Sequence, residues 1–316
     1  MSTTSATTTK KKALPDSSGP AGDGTDWRGD EAHVRSDDGT LIYARRATGP
    51  RALTALFCDG IACDGFIWKY LWDGLRPELS LAHFHYRGHG RSSAPRDPER
   101  IDVAAHAADA NAVRCALGNP DVVLVGHSLG TQVALETYRQ APEGVKGIVL
   151  LCGSFGRVTH TFKGTDVLAG VLPDLIAFVG RHPHIGRALW AHVPPSVALG
   201  LARLTGDVDA SRVSPADVAP YFEHVVHLDF ELFLRMLRAA GEHTAEDLLP
   251  NVRVPTLVVA GSLDSFTPPA VSRAMAEAIP NAELELAEGG SHLLPLEQHE
   301  RIERVVETFL HARVLV

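Results

Sequence analysis

Short apolar runs punctuate the chain from residue 52 onward, separated by longer stretches whose apolar residues recur every three or four positions. The runs are ALTALF (52–57), LSLAHFHY (79–86), VVLVG (122–126), GIVLLCG (147–153), PTLVVAG (255–261) and AELELAE (282–288). Runs of this length, bounded by Gly, Pro and polar clusters, predict strands. Ahead of them, EAHVRSDDGTLIYARRA predicts two further strands joined at Asp38-Gly39, a dipeptide suited to a tight hairpin. The last four runs read as Val/Leu/Ile-rich without polar alternation, the pattern of parallel strands covered by helices on both faces. Strands alternating with helices make the fold class α/β, with a mainly parallel eight-stranded sheet flanked by helices.

That alternation stops at residue 157 and resumes near residue 248. The intervening stretch carries helical patterns only. In VVHLDFELFLRMLRAA, Leu228, Phe230, Leu232, Phe233, Met236 and Leu237 form a broad apolar face. A helical insertion after the central strands reads as a cap over an active site. The expected organisation is therefore a core over 31–156 and 248–316, with a helical cap over 157–247. A closing amphipathic helix from about Pro295 places Ile302, Val305, Val306, Phe309 and Leu310 on one side. Residues 1–30, rich in Ser, Thr, Lys, Pro and Gly, cannot bury enough apolar surface to order themselves and are expected to be a disordered tail.

Composition narrows the class of function. The formal charge is −8, and the Lys10-Lys11-Lys12 run sits in a tail whose own charges cancel. Nucleic acid is thus a poor partner, because phosphate binding needs a basic face. Anionic membranes are disfavoured for the same reason, and no apolar run reaches the length of a membrane span. Cys58, Cys63, Cys115 and Cys152 form no Cys-x-x-Cys pair, which argues against a zinc ribbon or a disulfide scaffold and for buried thiols in a reducing compartment. With no signal-peptide pattern at the N-terminus, a cytoplasmic protein is the default.

Gly126-His127-Ser128-Leu129-Gly130 fits Gly-x-Ser-x-Gly, and its setting adds weight to the match. It follows an apolar β-branched run directly and precedes the helix-compatible TQVALETYRQ. A strand-to-helix elbow lifts a serine hydroxyl clear of the sheet, and the helix N-terminus lends it partial positive charge. With this motif in that context, nearly everything from residue 31 to the end resembles the α/β-hydrolase superfamily, in its capped, serine-nucleophile form. The resemblance implies a triad in the chain order Ser, acid, His.

Asp264, in LVVAGSLDSFTPP, follows an apolar strand and resembles the family's acid; a plain helix cap is the alternative reading. Asp229 and Asp59 are weaker competitors for that role, and LLCGSFG, where some relatives keep the acid, holds no carboxylate. His292, in AEGGSHLLPLEQ between the last strand and the last helix, resembles the family's general base. The backbone N–H groups of Leu129 and Ile61 would form the oxyanion hole. One departure stands out: the family commonly has His-Gly ahead of that second amide, and this chain has Asp59-Gly60. A carboxylate there would favour the charged form of His292 if it came close. Gly88-x-Gly90 is a structural turn, not a dinucleotide site.

The pairs His83/His85 and His182/His184 lack a third ligand motif, so no metal and no cofactor is expected. Phe162, Phe178, Trp190, Tyr221, Phe222, Phe230 and Phe233 are core or cleft wall, and any that face the site would make the pocket apolar. The resemblance implies a serine hydrolase for a small, apolar acyl or alkyl ester, working through an acyl-enzyme. Lactone hydrolysis, carbon–carbon bond hydrolysis and cofactor-free perhydrolysis would use the same residues. A ligand-binding protein of this fold with little turnover is the alternative from another class.

Overall fold

The computed structural model of the chain describes residues 25, 27–161, 167–182, 212–225 and 227–316. The expected disordered tail lies outside them over 1–24 and at 26.

Eight strands form one sheet: β1 (Glu31–Arg35), β2 (Leu41–Ala47), β3 (Arg51–Cys58), β4 (Leu79–Phe84), β5 (Val122–His127), β6 (Val145–Leu151), β7 (Thr256–Gly261) and β8 (Ala282–Ala287). Their order is β1-β2-β4-β3-β5-β6-β7-β8. β2 runs antiparallel to both its neighbours, and every pairing from β4 to β8 is parallel. The hairpin turns where Asp38-Gly39 foretold, with Gly39 at φ 84° in the left-handed region.

β5 lies at the middle of the sheet and is buried along its whole length. Its side chains alternate between two cores, one on each face of the sheet. Val122 and Leu124 join Leu56, Val133 and Ile148 on one side, and Val123 and Val125 join Phe57, Val149 and Val259 on the other. Each such side chain contributes roughly 1.5–3 kcal/mol by leaving water. Continuous apolar runs here are the direct result of helices covering both faces. β8 departs from the expectation of an unalternating strand. As the last strand of the sheet it alternates: Glu283 and Glu285 pair with Arg313 and Arg301, while Leu284 packs against the core. Glu283 is exposed and Glu285 half-buried, so one face of this strand is only partly covered.

The flanking helices are α1 (Lys69–Leu75), α2 (Val103–Ala116) and α3 (Leu129–Gln140) before β6. Asp102 caps α2 by accepting a hydrogen bond from Ala105 N at 2.7 Å. Between β6 and β7 come α4 (Val158–Thr161), α5 (Val167–Arg181), α6 (Pro215–Val225) and α7 (Phe230–Glu242). An isolated antiparallel bridge, Gly156 to Thr244, pinches the two ends of this excursion together. Leu172, Ile176 and Val179 of α5 pack against Phe230, Phe233, Leu234 and Leu237 of α7. The chain closes through α8 (Pro269–Ala278), α9 (Leu294–Glu297) and α10 (His299–Phe309). Ile302, Val306 and Phe309 are buried on α10, as the periodicity predicted. Among the described residues, no helix is long and apolar enough to cross a membrane.

Candidate active site

β5 ends at His127 and α3 starts at Leu129, so Ser128 alone makes the turn between them. It does so at φ 56° and ψ −119°, a conformation that costs a non-glycine residue about 1–3 kcal/mol. The surroundings enforce it. Ser128 N donates to Leu151 O at 3.0 Å, and Thr131 N donates back to Ser128 O at 3.0 Å. Neither flanking glycine has room for a side chain. A Cβ on Gly126 would lie 2.2 Å from Gly130 O, and one on Gly130 would lie 1.9 Å from Cys58 O. Gly130→Ala should therefore destabilise the protein by about 3 kcal/mol or more. Urea unfolding reads this directly; a wild-type midpoint would mean that the β3–α3 contact is looser than described.

The structure brings the three residues singled out by sequence into one line. His292 Nε2 is 3.0 Å from Ser128 Oγ, and His292 Nδ1 is 2.9 Å from Asp264 Oδ2. Asp264 follows β7 and His292 follows β8, so both reach Ser128 from the carboxyl ends of parallel strands, where such sheets place their sites. Asp264 is buried and fully engaged. Its Oδ1 accepts from Phe266 N and Thr267 N, each at 2.9 Å, and its Oδ2 also accepts from Thr267 Oγ1 at 2.7 Å. Burial pushes this carboxyl up, but the neighbouring His292 and the Thr267 donors outweigh it and hold it below the ordinary value.

Several partners of this line carried no signal strong enough to single out in the sequence. Thr267 steadies the carboxylate, and only its place three residues after an Asp hinted at a turn of this kind. Phe266 stacks on the His292 ring with centroids 5.0 Å apart. His127 donates through Nε2 to His292 O at 2.9 Å, tying the Ser128 elbow to the His292 loop. Burial drops His127 to about 3, so its ring stays neutral and keeps that donor. A Gly-x-Ser-x-Gly pattern leaves that position open, so the motif carries no signal for this role of His127.

Ile61 follows β3, and Leu129 opens α3 directly after Ser128. Among the described residues, neither amide is taken by a backbone acceptor. A Cβ on Gly60 would come within 3.2 Å of both Ser128 Cβ and His127 Nδ1, so the Asp59-Gly60-Ile61 turn lies directly against the elbow. Asp59 does not turn toward His292. Its side chain is wholly buried and held by Trp68 Nε1 at 2.6 Å and His83 Nε2 at 2.8 Å. Asp229 caps α7, accepting from Leu232 N at 3.0 Å. Both competitors for the acid role are thus employed elsewhere.

His85, the other half of the strand pair, accepts at Nδ1 from Arg91 N at 2.9 Å. His184, Phe162 and Trp190 lie outside the described residues, as does the Phe222 side chain. Tyr221 meets Phe66, and Phe178 is exposed. Cys58, Cys63 and Cys152 are buried, and burial pushes each thiol up and out of nucleophilic range. Cys115 corrects the expectation of four buried thiols: it sits exposed on α2, on the side facing water.

A mainly parallel sheet, with a serine on a strained strand-to-helix turn and a histidine and carboxylate arriving after later strands, defines a hydrolase-type architecture. The model of the alpha/beta hydrolase family matches residues 55–306, and the chain belongs to that family. It is 23% identical over 267 residues to a putative carbamate hydrolase, RutD, of Rhizobium rhizogenes, covering 84% of this chain and 95% of that protein. It is 25% identical over 280 residues to a poly(3-hydroxyalkanoate) depolymerase of Ectopseudomonas oleovorans, covering 88% and 91%. A thermophilic esterase from Thermogutta terrifontis shares the fold, with a TM-score of 0.73, 22% identity, and coverage of 90% and 99%.

Proposed function

We propose that this chain is a serine hydrolase that cleaves carboxylic esters through an acyl-enzyme on Ser128. The observation that carries the reading is the continuous relay Ser128 Oγ–His292–Asp264, at 3.0 and 2.9 Å, on a turn held in a strained conformation. In the proposed sequence His292 Nε2 takes the Ser128 proton as Oγ attacks the ester carbonyl, and Asp264 orients the ring and stabilises its charged form. The N–H groups of Leu129 and Ile61 receive the developing oxyanion. His292 then protonates the leaving alcohol, and a water activated the same way releases the acid. A lactone, being a cyclic ester, would pass through the same steps. The helices between β6 and β7 would act as the cap that shapes the substrate pocket.

Purified protein should turn over p-nitrophenyl esters many times per active site, with an optimum chain length that sizes the pocket. A fluorophosphonate should label Ser128 stoichiometrically, read by peptide mass spectrometry. Labelling without repeated turnover would support a ligand-binding protein of this fold instead.

Thr267 offers a finer test of the relay. Thr267→Val removes the hydroxyl that donates to Asp264 Oδ2 while keeping the shape of the side chain. A hydrogen bond to a charged group is worth about 1.5–3 kcal/mol, so kcat should fall about tenfold or more while KM holds. A rise in KM alone would place Thr267 in substrate binding.

A further inference from the structure

Behind the proposed oxyanion hole lies a closed set of buried polar side chains that the reaction itself does not use. Asp59 has each carboxylate oxygen taken: Oδ1 by the Trp68 indole N–H at 2.6 Å, and Oδ2 by His83 Nε2 at 2.8 Å. Its backbone oxygen accepts from the Tyr86 hydroxyl at 2.8 Å. All four residues are wholly buried. They come from different elements. Asp59 follows β3, His83 lies on β4 opposite Phe57, Trp68 ends the turn before α1, and Tyr86 lies just past β4. The chain makes room for this arrangement: Gly65, at φ 94°, leaves out a Cβ that would lie 2.7 Å from the His83 ring. The hydrogen bonds to Asp59 are made out of reach of water, where polar contacts are strongest, so they specify one local geometry.

That geometry sits under both proposed oxyanion donors. Ile61 is separated from Asp59 only by Gly60. On the other side, a Cβ on Gly130 would come within 1.9 Å of Cys58 O and 2.8 Å of Asp59 O, so the Cys58–Asp59 backbone rests on the first turn of α3. A shift at Asp59 therefore moves the Ile61 amide relative to the Leu129 amide.

We propose that Asp59 is a positioning residue, which with His83 and Trp68 sets the spacing of the two oxyanion donors. Its carboxylate is engaged by Trp68 and His83 rather than by Ser128 or His292. This inference rests on the serine-hydrolase reading above. The role is geometric rather than electrostatic, and the chemistry of His83 separates the two. The His83 Nδ1 is buried and has no hydrogen-bond partner. With Asn at position 59, the imidazole proton can move to Nδ1 so that Nε2 accepts from the amide; the amide oxygen still accepts from Trp68.

The test compares Asp59→Ala, Asp59→Asn and Trp68→Phe with wild type, using p-nitrophenyl ester kinetics per titrated active site and binding of phenylboronic acid, which mimics the tetrahedral oxyanion. Asp59→Ala should lower kcat about 10²-fold, as expected for a misplaced catalytic amide, with KM nearly unchanged and boronate affinity falling in parallel. Asp59→Asn should recover most of that loss. Trp68→Phe, which removes one donor and keeps an aromatic ring, should fall between them and guards against an alanine variant that fails to fold. Wild-type kcat in Asp59→Ala, or a loss in Asp59→Asn as large as in Asp59→Ala, would overturn the proposal. So would a fall in thermal stability with per-site kcat and boronate affinity intact. A wild type without turnover would overturn the hydrolase reading, and this one with it.

Discussion

Ser128→Ala should abolish ester turnover, lowering kcat by about 10⁶-fold, because the nucleophile, the base and the acid act as one unit. Every stage of the proposed reaction passes through that hydroxyl, so no neighbouring group can substitute. The buried Cys58, Cys63 and Cys152 thiols are pushed up by burial and supply no alternative nucleophile. Substrate binding should survive, since the variant loses a single oxygen. A second signature belongs to the same position. Ser128 holds φ 56° in a region that side chains avoid, so Ser128→Gly should be inactive and yet more stable than wild type by about 1–2 kcal/mol. Ester assays and urea unfolding on the two variants read both effects. Equal rates in wild type and Ser128→Ala would remove the serine mechanism altogether.

Acid should unfold this protein well before its carboxylates are protonated. The cause is a group of histidines that fold buried and neutral. Burial drops His85 to about 2; burial opposed by the Arg87 carbonyl leaves His89 at about 4; burial drops His127, beside His292, to about 3. His106 and His224 shift the same way, again mainly through burial. In the unfolded chain each takes up a proton near 6.5. Between those values the unfolded state binds more protons, so stability is complete above about pH 6.5 and declines as the pH falls. The slope is roughly 1 kcal/mol per pH unit for each histidine. By pH 5, His85, His89 and His127 together should remove about 5 kcal/mol, a large share of the stability typical of a domain. Asp264, held below its ordinary value, adds a loss only at lower pH. Asp64 and Asp109, which burial pushes up, oppose the trend, but nearer the carboxylate range. Urea midpoints at pH 7.5, 6 and 5 test the slope. A flat profile would mean that these rings are protonated and paired in the native state.

How much of this was legible in the chain can be argued from particular residues. β5 and β7 are uninterrupted apolar runs because helices cover both their faces, so their burial was written in composition alone. Ser128 was legible because an elbow this tight admits only glycine at 126 and 130, which leaves a mark in the sequence. Asp264 and His292 were legible from their places after late strands. The alternation of β8 was legible too, since Glu283 and Glu285 alternate with Leu284 and Leu286 in the chain itself; that it forms the edge of the sheet was decided by the tertiary structure. The structure alone decided that Asp59 turns to Trp68 and His83 rather than to His292, since those contacts join residues 9 and 24 positions away across three elements. It likewise decided that His127 holds the His292 loop, a bond spanning 165 positions. Local sequence records what a backbone turn or a buried strand demands of its own residues. Which buried polar group meets which is set only when the sheet brings distant segments together, because nearly any donor could serve any acceptor until packing chooses the pair.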